Sequence, residues 1–337
     1  MDSYVPTAVP HLRGAAAGAL MEQSRLIVEP MGGKAPQLVS SKMPADLRDW
    51  IILLKPRVIS LVVFTGAIGL MVAPGHLNPV LAFTAILCIA VAAGASGAIN
   101  MWYDRDIDAI MRRTARRPIP DGRIEPGSAL AYGVFLAVAS VVLMFLATNT
   151  AAAAILAVSI MFYVFIYTIW LKRRTSQNIV IGGAAGAFPP MIGWAAVTGG
   201  IDVMSLLMFA IVFLWTPPHF WALSLYAHSD YARAGVPMLP VVAGARATRQ
   251  QVMLYTVLLA GASLSPWALG LAGPVYGISA ATLGAGFVVS AWRVLRDRQD
   301  DEGRSLTNDA PARQTFRYSL AYLFILFLAL GIDHMVR

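Results

Sequence analysis

Long apolar stretches constrain this chain more than any other feature of its sequence. A membrane-spanning helix needs about 20 consecutive, mostly apolar residues, and nine stretches of the 337-residue chain are long and apolar enough. Short segments with turn-forming Pro, Gly and Asn separate them. We therefore predict an all-α, polytopic membrane protein with nine transmembrane helices, at 51–73, 80–103, 128–147, 151–171, 178–198, 203–226, 251–271, 274–293 and 315–335.

The composition agrees with a membrane protein and excludes an ordinary water-soluble enzyme. Charged residues make up 13% of the chain and hydrophobic residues 58%, whereas soluble domains typically carry about 25% charged residues. The net charge is +8, which fits either nucleic acid or a membrane as a partner. The apolar stretches favour the membrane, so we expect contact with the lipid bilayer and no nucleic acid.

The basic residues indicate how the chain is oriented in the membrane. All 26 Lys and Arg residues except Arg337 lie before the first span, in alternate loops, or at the ends of spans that border those regions. Loops rich in Lys and Arg stay in the cytoplasm, so we predict a cytoplasmic N-terminus. We interpret residues 1–45 as a disordered cytoplasmic tail and residues 46–337 as the transmembrane domain. Acidic residues in the tail argue mildly against a mitochondrial presequence, which favours the bacterial inner membrane.

The strongest candidate site lies at the cytoplasmic end of the second span. Asn100, Asp104 and Asp108 recur at intervals of four, which places them in one stripe along a continuous helix. Two carboxylates and an amide offer oxygen atoms, the ligands that Mg²⁺ prefers, and the Arg residues that follow suit an anionic substrate. The alternative is a solvated helix end in which Asp108 pairs with Arg112. The like-charged carboxylates, however, repel each other at this spacing without a cation.

Further polar residues lie near the cytoplasmic ends of other spans. Lys55 and Arg57 interrupt the first apolar stretch, so they should face protein or a cavity. Asp230 follows the sixth span. Taken alone, it is explained equally well by a helix cap or turn and by a functional role.

Two proline pairs fall inside predicted spans, Pro189–Pro190 in the fifth and Pro217–Pro218 in the sixth. Proline frees backbone carbonyls that must be satisfied by protein or in a wet cavity, so we expect irregular helices that line a cavity. His219 follows the second pair and is the only histidine deep in a predicted span. It is either a buried packing residue or a direct substrate contact.

These features together suit a diphosphate that carries a long lipid chain. Oxygen ligands for Mg²⁺ and a ring of Arg and Lys would hold the diphosphate, and an apolar interior would hold the chain and exclude water. The expected chemistry is prenyl transfer. A membrane transporter is the main alternative, but its site would lie near the membrane midplane rather than at one face. A lipid-head-group phosphotransferase would need a further acidic string just upstream of Asn100, where the sequence has none.

Five segments together are similar to a known group of enzymes. Three of them are Lys55-Pro-Arg57-Val, Asn100-Met-Trp-Tyr-Asp-Arg-Asp-Ile-Asp108 and Arg112-Arg-Thr-Ala-Arg-Arg117-Pro. The other two are Trp215-Thr-Pro-Pro-His-Phe-Trp221 and Asp230-Tyr-Ala-Arg-Ala-Gly-Val-Pro-Met-Leu-Pro240. From about residue 46 onward the chain resembles the UbiA-type superfamily of intramembrane prenyltransferases, and within it the protohaem IX farnesyltransferase family. The last two segments are specific to that haem branch, which argues against the alternative of a quinone-type aromatic prenyltransferase.

The resemblance implies an activity and a set of site residues. It implies that farnesyl diphosphate is joined to a vinyl group of haem B (protohaem IX), with release of diphosphate, for haem–copper oxidases. It implies Mg²⁺ binding by Asn100, Asp104 and Asp108, with Asp230 as a further metal-side acid, although Ala234 stands where the wider superfamily has a second Asp. Substrate contacts are implied at Lys55, Arg57, Arg112, Arg116, Tyr167, Lys172, His219 and Tyr231. A haem A synthase that receives the product is an expected partner.

Overall fold

The computed structural model describes residues 45–301 and 303–337, and most of them are helical. The predicted all-α fold is confirmed. The expected tail at 1–45 lies outside the described residues apart from Ala45. The helices of the described residues are α1 Leu47–Leu53, α2 Pro56–Met71, α3 Pro79–Tyr103, α4 Arg105–Ile110, α5 Pro126–Ala147, α6 Thr150–Leu171, α7 Asn178–Thr198, α8 Val203–Tyr226, α9 His228–Arg233, α10 Leu239–Val242, α11 Gly244–Ala268, α12 Pro274–Leu295 and α13 Ala310–Val336.

Most of the predicted spans are helices long and apolar enough to cross a membrane. Among the described residues this holds for seven helices, α3, α5, α6, α7, α8, α12 and α13. Helices α1 and α2 meet the same criterion only together, with a bend of 53° between them, and the number rises to eight if the bent pair is one span. The ninth predicted span, 251–271, falls on α11, which has 25 residues but carries Arg and Gln in its first turns. The protein is therefore a multi-pass membrane protein with roughly the predicted arrangement of spans.

Side-chain caps start helices at the predicted turns. Asn78 accepts a hydrogen bond of 2.9 Å from the backbone N–H of Val80 and so begins α3. Asn149 caps α6 in the same way, accepting from Ala152 at 2.9 Å. The amide of Asn149 also donates to the carbonyl of Ala195 at 2.8 Å. The short turn between α5 and α6 is thereby attached to the end of α7.

Glycine allows α2 and α7 to pack with their backbones in contact. A Cβ atom at Gly69 would lie 2.1 Å from the carbonyl oxygen of Pro190. A Cβ atom at Gly193 would lie 2.1 Å from the carbonyl oxygen of Gly66. No other residue fits at these positions without moving a helix, which fixes the separation of the two helices.

The helix irregularities lie elsewhere than the proline pairs predict. Helices α7 and α8 continue through Pro189–Pro190 and Pro217–Pro218 without a break, because packed neighbours in a membrane bundle re-satisfy the freed carbonyls. The second part of α6, Phe162–Leu171, is instead wound as a π-helix. The chain also bends between α1 and α2, where Lys55 has a left-handed φ of 53°. The expected break at the proline pairs was wrong, but residues at or beside both pairs line a cavity, as predicted.

Candidate functional site

The predicted polar stripe lies at a junction of two helices. Helix α3 ends at Tyr103 and α4 begins at Arg105, so the single continuous helix expected through the stripe was wrong. Aspartate has a low propensity for a helix interior, which lowers the cost of a break at Asp104, although its side chain makes no capping hydrogen bond. Asn100, Asp104 and Asp108 nevertheless stay adjacent and are 4%, 0% and 3% exposed. The backbone N–H of Asp108 donates to the carbonyl of Asp104 at 2.8 Å.

Asp104 is a buried carboxylate surrounded by donors. The side-chain amide of Asn100 donates to its Oδ2 at 2.7 Å. The ammonium group of Lys172 binds the same oxygen, and the guanidinium of Arg173 lies 3.5 Å from Oδ1. A buried charge is tolerated only when it is paired and hydrogen-bonded, and here Lys172 supplies the opposite charge.

Lys55 reaches the same cluster from the bend between α1 and α2. Its Nζ donates to Oδ1 of Asn100 at 2.9 Å, while the amide nitrogen of Asn100 lies 3.2 Å from Oγ1 of Thr168. A left-handed backbone at a non-glycine residue costs about 1–3 kcal/mol and often marks a functional position. The strained conformation of Lys55 thus places a cation against the polar stripe.

Asp108 pairs with a different arginine from the one considered in the sequence. Nη1 of Arg117 lies 2.6 Å from its Oδ2, whereas Arg112 and Arg116 are exposed. The alternative of an ion pair between Asp108 and Arg112 was wrong, because α4 ends at Ile110 and the helical spacing is lost. Sequence reasoning counted Arg117 only among the Arg residues that suit an anionic substrate. It did not predict the pairing with Asp108, since a separation of nine residues across an irregular segment carries no helical signal.

Arg173 connects the end of α6 to the start of α4. Its guanidinium donates two hydrogen bonds, of 2.7 and 2.8 Å, to the carboxylate of Asp106. These hydrogen bonds lower the pKa of Asp106 and raise the pKa of Arg173. Asp106 is exposed, and this contact holds α4 against the loop that follows α6.

Asp230 lies apart from the two buried carboxylates. It sits on the short helix α9 and binds Arg233. Its neighbour Tyr231 is buried, shares an apolar cluster with Ile107 of α4, and accepts a hydrogen bond of 3.3 Å from Arg113. Among the described residues, no group of three or more His, Cys, Asp or Glu side chains is arranged to hold a metal ion. The structure thus packs α9 against α4 without gathering Asp230 with the other acids.

A cavity of about 630 Å³ opens between α2, α3, α6, α7, α8 and α13. Lys55 and Arg57 line it together with Tyr167 and His219, while Ile, Leu, Val, Ala and Gly make up much of the remaining wall. The π-helical part of α6 contributes Tyr163 as well as Tyr167, with ring centroids 5.3 Å apart. The sequence did not predict that Tyr163 lines the cavity, because no sequence pattern indicated the π-helix. A charged end and a largely apolar body suit an amphiphilic ligand.

His219 is held in the cavity wall by aromatic stacking. Its ring lies between those of Trp215 and Phe316, with centroid distances of 4.3 and 4.6 Å and interplanar angles of 18° and 24°. Its Nδ1 lies 2.6 Å from the hydroxyl of Ser319. The residue therefore both packs α8 against α13 and faces the cavity.

Comparisons with known proteins agree with this architecture. Residues 62–332 match the UbiA prenyltransferase family. A protoheme IX farnesyltransferase from Granulibacter bethesdensis is 70% identical over 300 residues, covering 88% of this chain and 95% of the relative. One from Acidiphilium cryptum is 68% identical over 299 residues, covering 89% and 94%.

Solved structures show the same fold. A digeranylgeranylglyceryl phosphate synthase superposes with a TM-score of 0.70 at 19% identity, covering 86% of this chain and 99% of that one. A UbiA homologue from Archaeoglobus fulgidus bound to GPP and Mg²⁺ gives a TM-score of 0.62 at 15% identity, covering 83% and 99%. At these identities the likeness concerns the fold alone.

Proposed function

This chain belongs to the UbiA prenyltransferase family, and from that premise we propose that it transfers the farnesyl group of farnesyl diphosphate to a vinyl group of haem B. The relatives that are 70% and 68% identical carry the name of that activity, and the chain is a membrane-embedded prenyltransferase. The observation that carries the site assignment is a pair of buried, cation-neutralised carboxylates, Asp104 and Asp108. They lie beside Lys55, which is at the charged end of a largely apolar cavity.

The donor set fits Mg²⁺. Asn100, Asp104 and Asp108 present two carboxylates and an amide oxygen, and Mg²⁺ is typically bound by one or two carboxylates together with substrate phosphates. The bound ion would neutralise the diphosphate and stabilise it as a leaving group. We also propose Asp230 of α9 as a metal-side acid, which requires that it move toward the buried carboxylates and that Arg233 be released from it.

The cations of the site exchange partners when the substrate binds. Lys172 and Arg117 now neutralise Asp104 and Asp108, and the ion would take over that role. Both side chains are then free to contact the diphosphate, because each is partly exposed already. Lys55 and Arg57 contact it from the cavity side.

The remaining substrate contacts lie around these groups. Arg112 and Arg116 offer exposed positive charge near the same face, and Tyr231 is placed between the Arg113 side chain and α4. Tyr167 and His219 line the cavity, where His219 contacts the haem. The apolar wall holds the farnesyl chain and keeps water from the allylic centre until transfer.

The proposed reaction needs no oxidant or reductant. The bond between C1 of the farnesyl chain and the diphosphate oxygen breaks, and the diphosphate leaves with the electron pair. The terminal vinyl carbon of the haem bonds to C1. A water molecule adds its oxygen to the inner vinyl carbon and releases one proton, which leaves a hydroxyethylfarnesyl group.

The location and the partner follow from the same proposal. The basic loops favour a cytoplasmic N-terminus, and we propose the bacterial inner membrane as the location. A haem A synthase would accept the product. Co-purification from native membranes in mild detergent tests this partner, and its reproducible absence counts against it.

The activity is tested with purified protein in detergent. Radiolabelled farnesyl diphosphate is supplied with Mg²⁺ and either haem B or a hydroxybenzoate, and the prenylated product is separated by chromatography. We expect label on haem alone. Label on the hydroxybenzoate alone would assign the quinone branch, and no transfer to either acceptor, with uptake of labelled substrate into proteoliposomes, would favour a transporter.

A further inference from the structure

Three glycines of α7 line the cavity, and they differ in what surrounds them. A Cβ atom at Gly182 would lie 2.2 Å from the ring of Tyr167, and one at Gly183 would lie 2.8 Å from the side chain of Thr216. Both glycines are therefore required for packing. At Gly186 a Cβ atom would meet nothing within 4 Å.

Neither backbone nor packing explains a glycine at position 186. The residue lies inside a continuous helix and does not have a positive φ. Glycine in a helix interior is less favourable than alanine. What the missing side chain preserves is open cavity volume.

The position of Gly186 along the cavity identifies what that volume holds. Ile179 and Ile192 of α7 both line the cavity, and Ile179 shares an apolar cluster with Ile107, next to Asp108. With a rise of 1.5 Å per residue, Gly186 lies about 10 Å below Ile179 and about 9 Å above Ile192. It is therefore roughly midway between the charged end and the far end, beyond the reach of a single five-carbon unit attached to the diphosphate.

We propose that Gly186 sets the length of prenyl chain that the cavity accepts, by leaving room for the isoprene units farther from the diphosphate. This inference rests on the proposed function. A larger side chain at position 186 projects into the cavity and blocks a three-unit farnesyl chain, while a two-unit geranyl chain is shorter and is blocked less.

The test compares two prenyl diphosphates in one enzyme. Gly186→Ala and Gly186→Leu are assayed with haem B and with farnesyl or geranyl diphosphate, and the ratio of the two kcat/KM values is compared with the wild type. We expect Gly186→Leu to shift this ratio at least tenfold toward geranyl diphosphate, and Gly186→Ala to shift it less in the same direction. Gly133→Ala is the packing control, because a Cβ atom at Gly133 would lie 2.8 Å from the side chain of Ile99 and Gly133 does not line the cavity. It should lower stability while leaving the ratio unchanged.

The outcomes separate this inference from the proposed function. A wild type that prenylates no haem refutes the proposed function. A wild type that is active with farnesyl diphosphate, together with an unchanged ratio in both Gly186 variants, overturns only the inference. Equal loss of both prenyl substrates with a raised KM for haem also overturns it, because the haem would then occupy the space. If Gly186→Leu does not fold, the ratio measured for Gly186→Ala decides.

Discussion

Loss of Lys172 should lower the free energy of unfolding more than loss of Asp104, although the two side chains form one ion pair. The carboxylate side chain is 0% exposed, whereas the side chain of Lys172 is 18% exposed. Removing the lysine leaves a charge that cannot reach water. Removing the carboxylate leaves an ammonium group that can move toward solvent on its long, flexible stem.

The surroundings of the ion pair indicate how much stability each substitution should cost. Loss of one partner from a buried ion pair costs about 3–5 kcal/mol. Asp104 keeps its hydrogen bond from Asn100 and has Arg173 at 3.5 Å, so we expect Lys172→Met to lie near the lower end, at about 3 kcal/mol. Asp104→Asn removes the charge but keeps the shape, and should cost about 1 kcal/mol.

A double-mutant cycle measures the difference. The free energy of unfolding is determined in mixed detergent micelles for the wild type, Lys172→Met, Asp104→Asn and the double variant. The double variant should be more stable than Lys172→Met, since it no longer contains an unpaired buried charge. Mg²⁺ should restore stability to Lys172→Met and have little effect on the double variant. Equal costs for the two single variants, with simple additivity in the double variant, would refute the reasoning.

Four further results are expected. Asp108→Asn should lower turnover about 100-fold or more through loss of electrostatic stabilisation at the diphosphate, while Asp106→Asn, at an exposed carboxylate, should stay near wild type; equal losses contradict the assignment. Chelation with EDTA should abolish prenyl transfer and added Mg²⁺ should restore it, so full activity after exhaustive chelation contradicts a metal role. His219→Phe keeps the aromatic stack but should raise the KM for haem without changing binding of farnesyl diphosphate, and an unaltered KM leaves packing as its role. Arg249→Met should lower the free energy of unfolding by about 3 kcal/mol, because buried Arg249 lies 3.7 Å from buried Asp297. If the unpaired charge of Asp297 is the cause, the double variant Asp297→Asn/Arg249→Met should lose less stability than Arg249→Met.

The arrangement of membrane spans follows from local sequence pattern. A span requires length and low polarity, and both are properties of consecutive residues, so most helices begin and end near their predicted positions. The capping residues Asn78 and Asn149 begin helices at the predicted turns, since a cap acts within a few residues. The oxygen-rich stripe from Asn100 to Asp108 was likewise visible, because its members are close in sequence.

Which cation neutralises which acid depends on long-range contacts. Asp104 pairs with a lysine 68 residues away, and Asp108 with Arg117 across an irregular segment; neither spacing is a helical repeat. The π-helix of α6 and the left-handed Lys55 also depend on neighbours that hold strained backbone in place. The distinction between packing glycines and Gly186 has the same origin, since the atoms opposite each helix face come from other parts of the chain. Local pattern therefore specifies the helices, and long-range packing specifies the site between them.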